Sequence, residues 1–214
     1  METFQFYSKL DLTILLGRKA KNVPELLESI KSVPDSSIYY HTHKFLQRHH
    51  YLSTAPSNDF AYWTGKILNR SLLGERLSSI DIVQFHSLSE LRKQLIEIIE
   101  SHLQITESDI TPCPPGNEFH FMASQVFAFP NNYIASNLSE LREHLEHISA
   151  DAIYHHFFDV KLRSDNDEND FSNWFRKIGK PELAEAVKRL DPYAYSLEGL
   201  RKRLIVLVRA YDTN

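Results

Sequence analysis

A single cysteine, Cys113, excludes a disulfide framework and any cysteine-rich zinc module. No run approaches the ~20 apolar residues that span a bilayer. The apolar stretch LTILL, residues 12–16, is too short and too far in for a signal peptide. Basic charge is not in excess: 24 Lys+Arg stand against 28 Asp+Glu, which argues against a general nucleic-acid binder. His-Glu-x-x-His, a glycine-rich phosphate loop and a nucleophile–base signature are all missing, so no motif names a reaction. What the chain does have is aromatics (13 Phe, 10 Tyr and 2 Trp) and 11 histidines. They supply ample core material for one large domain or two small ones.

The sequence is self-similar. Residues 4–43 lie over 119–158 without a gap, with ten of forty positions identical. Phe4 and Phe6 meet Phe119 and Phe121, and Asn22, Glu25 and Leu26 meet Asn137, Glu140 and Leu141. Ile38-Tyr39-Tyr40-His41 meets Ile153-Tyr154-His155-His156. Further on, Asn58-Asp59-Phe60-x-x-Trp63 meets Asn169-Asp170-Phe171-x-x-Trp174, and Leu91-Arg92-Lys93 meets Leu200-Arg201-Lys202. A unit near 100 residues is too long for a solenoid and reads as a duplicated domain. The segment between the copies contains Thr111-Pro-Cys-Pro-Pro-Gly116, which forbids helix and marks a stiff connection. The expected bounds are 1–103 for the first repeat, 104–118 for the linker and 119–214 for the second repeat.

Each copy opens on a short alternating stretch, Phe4-Gln-Phe6-Tyr or Phe119-His-Phe121-Met, suited to an extended segment. The remainder reads as helix. Pro24-Glu25 suits a first helical turn, and Ser139 suits an N-cap. Second helices are expected over 36–49 and 151–162, with third helices opened by Asp59 and Asp170 as N-caps. Fourth helices are expected near 73–80 and 182–190. A fifth begins at the capping box Ser87-x-x-Glu90, its apolar stripe running through Leu88, Leu91, Leu95, Ile98 and Ile99. The expected fold class is mainly α: a tandem duplication of a four-to-five-helix unit, with minor β in short N-terminal segments and a pseudo-two-fold arrangement.

The candidate residues for chemistry fall in the matched motifs. Imidazole is the commonest metal ligand and near-neutral acid or base, and His41, His43, His49 and His50 cluster in the first copy. His41 and His43 lie about 200° apart on a regular helix, so they cannot share one metal. No metal site is therefore assigned. His41 and His156 occupy the same place in the two copies, on inward stripes with Ile38 and Ile153. They read either as buried struts bonded to a carbonyl or to the Asp59 and Asp170 region, or as lining a cleft with Tyr39 and Tyr154. Trp63 and Trp174 read as core, or as stacking surfaces for a polar ligand gripped by the adjacent aspartates. Arg92 and Arg201 read as lying on a solvated face or ion-paired with Asp81 or Asp191, or as anion-binding groups. Cys113, flanked by prolines, reads as an incidental thiol. The acidic stretch 164–169 lacks the central glycine and closing glutamate of a calcium loop.

Ser-Ser-Ile-Tyr-Tyr-His-Thr-His-Lys-Phe-Leu, followed by Pro-Ser-Asn-Asp-Phe-Ala-Tyr-Trp, resembles an uncharacterised bacterial and archaeal family, a domain of unknown function. Ile153-Tyr-His-His-Phe-Phe158, Asn169-Asp-Phe-Ser-Asn-Trp174 and Leu190-Asp-Pro-Tyr-Ala-Tyr-Ser-Leu-Glu-Gly-Leu-Arg201 fit the same pattern, so the resemblance covers nearly the whole chain. It implies a prokaryotic, cytoplasmic protein and carries over no activity and no cofactor. The expected function is a non-catalytic binding or interaction module, with a cleft for a small polar ligand or protein partner between the repeats and a homodimer among its assemblies. No nucleic acid and no membrane are expected. The alternative is a hydrolase or transferase using His41 or His43 with Asp59, with or without a metal; a dimerisation scaffold is the third reading.

Overall fold

The structure, a computed structural model, describes residues 2–45, 57–82, 84–85, 87–106, 109–160, 168–190 and 195–212. Two long strands, β1 (Phe4–Ala20) and β2 (Phe119–Ala135), pair as an antiparallel two-stranded sheet. The helices between them are α1 (Val23–Ser32), α2 (Asp35–Tyr39), α3 (Asp59–Tyr62), α4 (Ser71–Ser78) and α5 (Leu88–Ile105). After β2 come α6 (Leu138–His147), α7 (Ala150–Tyr154), α8 (Asp170–Lys177), α9 (Pro181–Lys188) and α10 (Leu197–Asp212). Three π-helical turns extend α2, α3 and α7: Tyr40–Lys44, Trp63–Ile67 and His155–Asp159.

This corrects the expected mainly α tandem of helical units with minor β. The short extended segments are 17-residue strands, and the sheet holds 18% of the described residues beside 59% helix. The expected pseudo-two-fold pair of helical units is set aside with it. The physical reason is that Phe4 and Phe6 pack in a core with residues more than a hundred positions away. One compact unit is built from residues 1–10 and 126–214 and is called here the split unit; residues 11–125 form the continuous unit. In the split unit, Phe4 and Phe6 join Leu141, Phe171 and Leu200. In the continuous unit, Phe119 and Phe121 join Leu26, Phe60 and Leu91. Burying each phenylalanine contributes about 1.5–3 kcal/mol. Each helical core is thus completed by strand residues.

Local signals explain the helix starts. Asn22 Oδ1 accepts the Glu25 amide at 2.9 Å while Glu25 Oε2 accepts the Lys21 amide at 2.9 Å, a reciprocal capping box. Asn137 and Glu140 repeat it, so Asn137, not Ser139, caps α6. Asn58 and Asn169 likewise cap α3 and α8 by accepting from Ala61 and Ser172. The expected caps Asp59 and Asp170 instead sit one residue inside, where their carboxylates are free for other partners. The Ser87 cap of α5 forms as expected. The expected helix beyond Phe45, with His49 and His50, and most of the acidic stretch lie outside the described residues.

One local difference separates the matched motifs. The Leu68 amide donates five residues back to Trp63, whereas that of Ile178 donates four residues back to Trp174. A π turn uses one more residue than an α turn for the same path. After it, Asn69 and Gly179 both take left-handed φ, 56° and 78°. In the continuous unit, Gly74 of α4 then lies so close to the π turn that a Cβ on it would stand 2.6 Å from Gly65 Cα. A Cβ on Gly65 would meet Gly74 at an ordinary 3.5 Å. Chemical denaturation should therefore separate two like substitutions. Gly74→Ala is expected to lose about 1–3 kcal/mol by overpacking against backbone, and Gly65→Ala to lose less than half as much. Equal losses would contradict the close approach.

Candidate functional site

The matched histidines sit on the π turns that follow α2 and α7. His41 Nδ1 lies 2.7 Å from Asp59 Oδ2, and its Nε2 accepts the Met122 backbone N–H of β2 at 2.9 Å. His156 Nδ1 lies 2.7 Å from Asp170 Oδ2, and its Nε2 accepts the Tyr7 backbone N–H of β1 at 3.0 Å. Because the backbone can only donate, Nε2 must carry the lone pair and Nδ1 the proton given to the carboxylate. Each ring is therefore a neutral bridge from a helix-start aspartate to a strand amide. His41 is 2% exposed and His156 is 1% exposed. Phe119 lies 4.7 Å from the His41 ring, and Phe4 5.0 Å from that of His156.

The tryptophans make a second tie to the same strands or the residues leading into them. Trp63 Nε1 donates to Asn117 O at 2.7 Å, and Trp174 Nε1 donates to Glu2 O at 3.2 Å. Their rings stand edge-on to Phe119 and Phe4. Arg92 donates to Ile30 O in the last turn of α1 and to Asp35 Oδ1. Arg201 donates to Leu145 O in the last turn of α6 and pairs with Glu198. Both guanidinium groups satisfy carbonyls at a helix end, with Asp35 and Glu198 as acidic partners; Asp191, an expected partner, lies outside the described residues.

Of the expected site residues, the fold brings together His41, Asp59 and Trp63 in one unit and His156, Asp170 and Trp174 in the other. Arg92 and Arg201 are engaged elsewhere, at the helix ends. His43 Nδ1 meets Thr42 Oγ1 at 3.1 Å, and its ring stacks on Tyr39 at 5.8 Å, while Asp59 bonds His41. Tyr154 stacks on Phe158 at 4.6 Å, with Lys9 Nζ 4.8 Å from its ring centre. Burial pushes the Cys113 thiol up, away from the reactive thiolate. Among the described residues no group of three or more His, Cys, Asp or Glu side chains could hold a metal ion.

Two polar clusters of the continuous unit escape a reading of the sequence. Lys44 Nζ reaches Asp11 Oδ1 at 2.6 Å and Thr13 Oγ1 at 3.4 Å, and Ser124 donates to the same carboxylate, so one ammonium joins both strands. Arg70 donates to both oxygens of Asp109, which His102 also meets at 3.2 Å. Arg70 beside it holds the Asp109 carboxyl below the usual carboxylate range, with His102 adding to the effect. Each cluster draws members from separate stretches of the sequence, so no spacing announces it.

Comparison with known proteins places the chain. Residues 1–209 match the Family of unknown function (DUF5752), and the chain belongs to that family. Among solved structures it is similar to one described as the structure of OrfY from Thermoproteus tenax, at 25% identity and a TM-score of 0.82. That match covers 100% of this chain and 97% of the other. No curated protein matches. No helix among the described residues is long and apolar enough to cross a membrane.

The indole ties can be weighed against each other. Trp63→Phe keeps the ring and strands the Asn117 carbonyl, and should cost about 1–3 kcal/mol. Trp174→Phe, whose bond is longer at 3.2 Å, should cost less. Urea midpoints of the two variants check the order; a silent Trp63→Phe would contradict the tie.

Proposed function

We propose that this member of the DUF5752 family is a non-catalytic interaction protein whose partner is another protein. The carrying observation is that the groups best suited to chemistry are already committed. Both ring nitrogens of His41 and of His156 are occupied by an aspartate and a strand amide, in rings almost wholly buried. A general base must reach the proton that it removes. An imidazole whose lone pair holds a backbone N–H in the core does not reach substrate, which weighs against the hydrolase or transferase reading.

An apolar surface on the split unit favours a protein partner over a small polar ligand. Leu10 is 51% exposed and Phe129 is 52% exposed, and Phe127 stacks beside Phe129 with ring centres 6.5 Å apart. Single exposed apolar residues are ordinary, but two stacked, exposed aromatics on a strand are of the kind protein interfaces use, and Leu10 is exposed on the other strand of the same unit. A cell extract of the source organism passed over the immobilised full chain tests this. The wild type should retain a protein in stoichiometric amount. The double variant Phe127→Ser/Phe129→Ser, with an unchanged circular dichroism spectrum, should not retain it. Equal retention by both chains would contradict this surface, and turnover lost specifically on Asp59→Asn would revive the enzyme reading.

A further inference from the structure

We infer that the two His–Asp pairs form proton-sensitive latches that hold β1 and β2 on their helices at neutral pH and release them on acidification. The argument is geometric. At each latch the strand offers an N–H and the imidazole offers a lone pair on Nε2. A proton taken from solvent onto Nε2 turns that acceptor into a donor, and two N–H groups then face each other where a hydrogen bond stood. The Nδ1–H bond to the carboxylate survives the change. Protonation therefore breaks one side of the bridge only, the side that holds the strand.

The groups around each ring settle the direction. Asp59 of α3 is the charged group bonded to His41, with Tyr40 beside it on the same π turn. Phe60 of α3 and Phe119 and Phe121 of β2 complete the shell. His156 is bonded to Asp170 of α8 and lies beside two further titratable groups, Tyr7 of β1 and the neighbouring His155. Phe4, Phe6 and Phe171 pack near the same ring. Since the latched state carries one proton fewer than the released state, the latch is fully closed at high pH. It weakens as the pH falls through the histidine range.

The aspartate gives the latch its own control. Asp59→Asn retains an oxygen to accept Nδ1–H but removes the negative charge that stabilises the imidazolium. Release at His41 should then need a lower pH, while release at His156 is unmoved.

Amide hydrogen exchange by NMR on the full chain, corrected for intrinsic rates between about pH 8 and about pH 5, tests the inference. Protection of the Met122 and Tyr7 amides should fall roughly tenfold per pH unit below the transition, the slope of one proton, while the Leu95 amide in the middle of α5 stays protected. In Asp59→Asn the Met122 transition should move to lower pH and that of Tyr7 should not. Protection at Met122 and Tyr7 that is flat with pH, or a substitution that shifts both transitions or neither, overturns the latch. Should Asp59→Asn fail to fold, nitrogen-15 spectra of the wild-type imidazoles decide. A neutral ring protonated on Nδ1 near pH 7.5 supports the latch, and an imidazolium there overturns it.

Discussion

A strand amide buried against a helical core must find an acceptor, and in this protein a histidine side chain supplies it. That one requirement organises the motifs. The imidazole needs its second nitrogen fixed so that the lone pair faces the strand, which is the work of Asp59 and Asp170. The aspartates are free for it because the preceding asparagines take over the helix caps. The π turns carry the histidines, and the Phe-x-Phe of each strand closes the core around the ring. Asn-Asp-Phe-x-x-Trp is thus a small device with one job per residue: cap, orient, pack and tie down the strand.

The same arrangement accounts for what was legible in the sequence. Two copies of a motif at matched positions mark residues that the fold uses twice, and His41 with His156 and Trp63 with Trp174 are such pairs. Reading the histidines as buried struts offered a carbonyl or the Asp59 and Asp170 region as the partner; the aspartates take Nδ1, and the strand N–H at Nε2 is in neither alternative. The strands themselves were not legible beyond their first residues. Past Phe6 and Phe121 the alternation fades: Leu12, Ile14, Leu15, Phe127 and Phe129 are exposed, so their apolar character does not report burial. Nor could local pattern show that residues 1–10 belong to a compact unit whose other residues begin at position 126.

Differences between the matched motifs point to what each unit does on its own. The π turn at Trp63–Ile67 and the contact between Gly65 and Gly74 belong to the continuous unit, whereas Ala184 and a regular turn stand at the matched places of the split unit. Lys44 with Asp11 and Ser124, and Arg70 with Asp109 and His102, also belong to the continuous unit. The split unit instead presents exposed aromatics on its strand segment. Shared residues build the frame, and unshared ones are where distinct roles have room to arise.

The central claim is that each histidine works with its aspartate as one structural element. A double-mutant cycle on His156 and Asp170, using His156→Gln, Asp170→Asn and the pair together in urea unfolding, measures it directly. Residues bridged in one buried network should couple by about 1 kcal/mol or more, with the second substitution costing little once the first is made. Costs that simply add, within about 0.3–0.5 kcal/mol, would show that the carboxylate does not act through the ring, and the account of the strand anchor would be wrong.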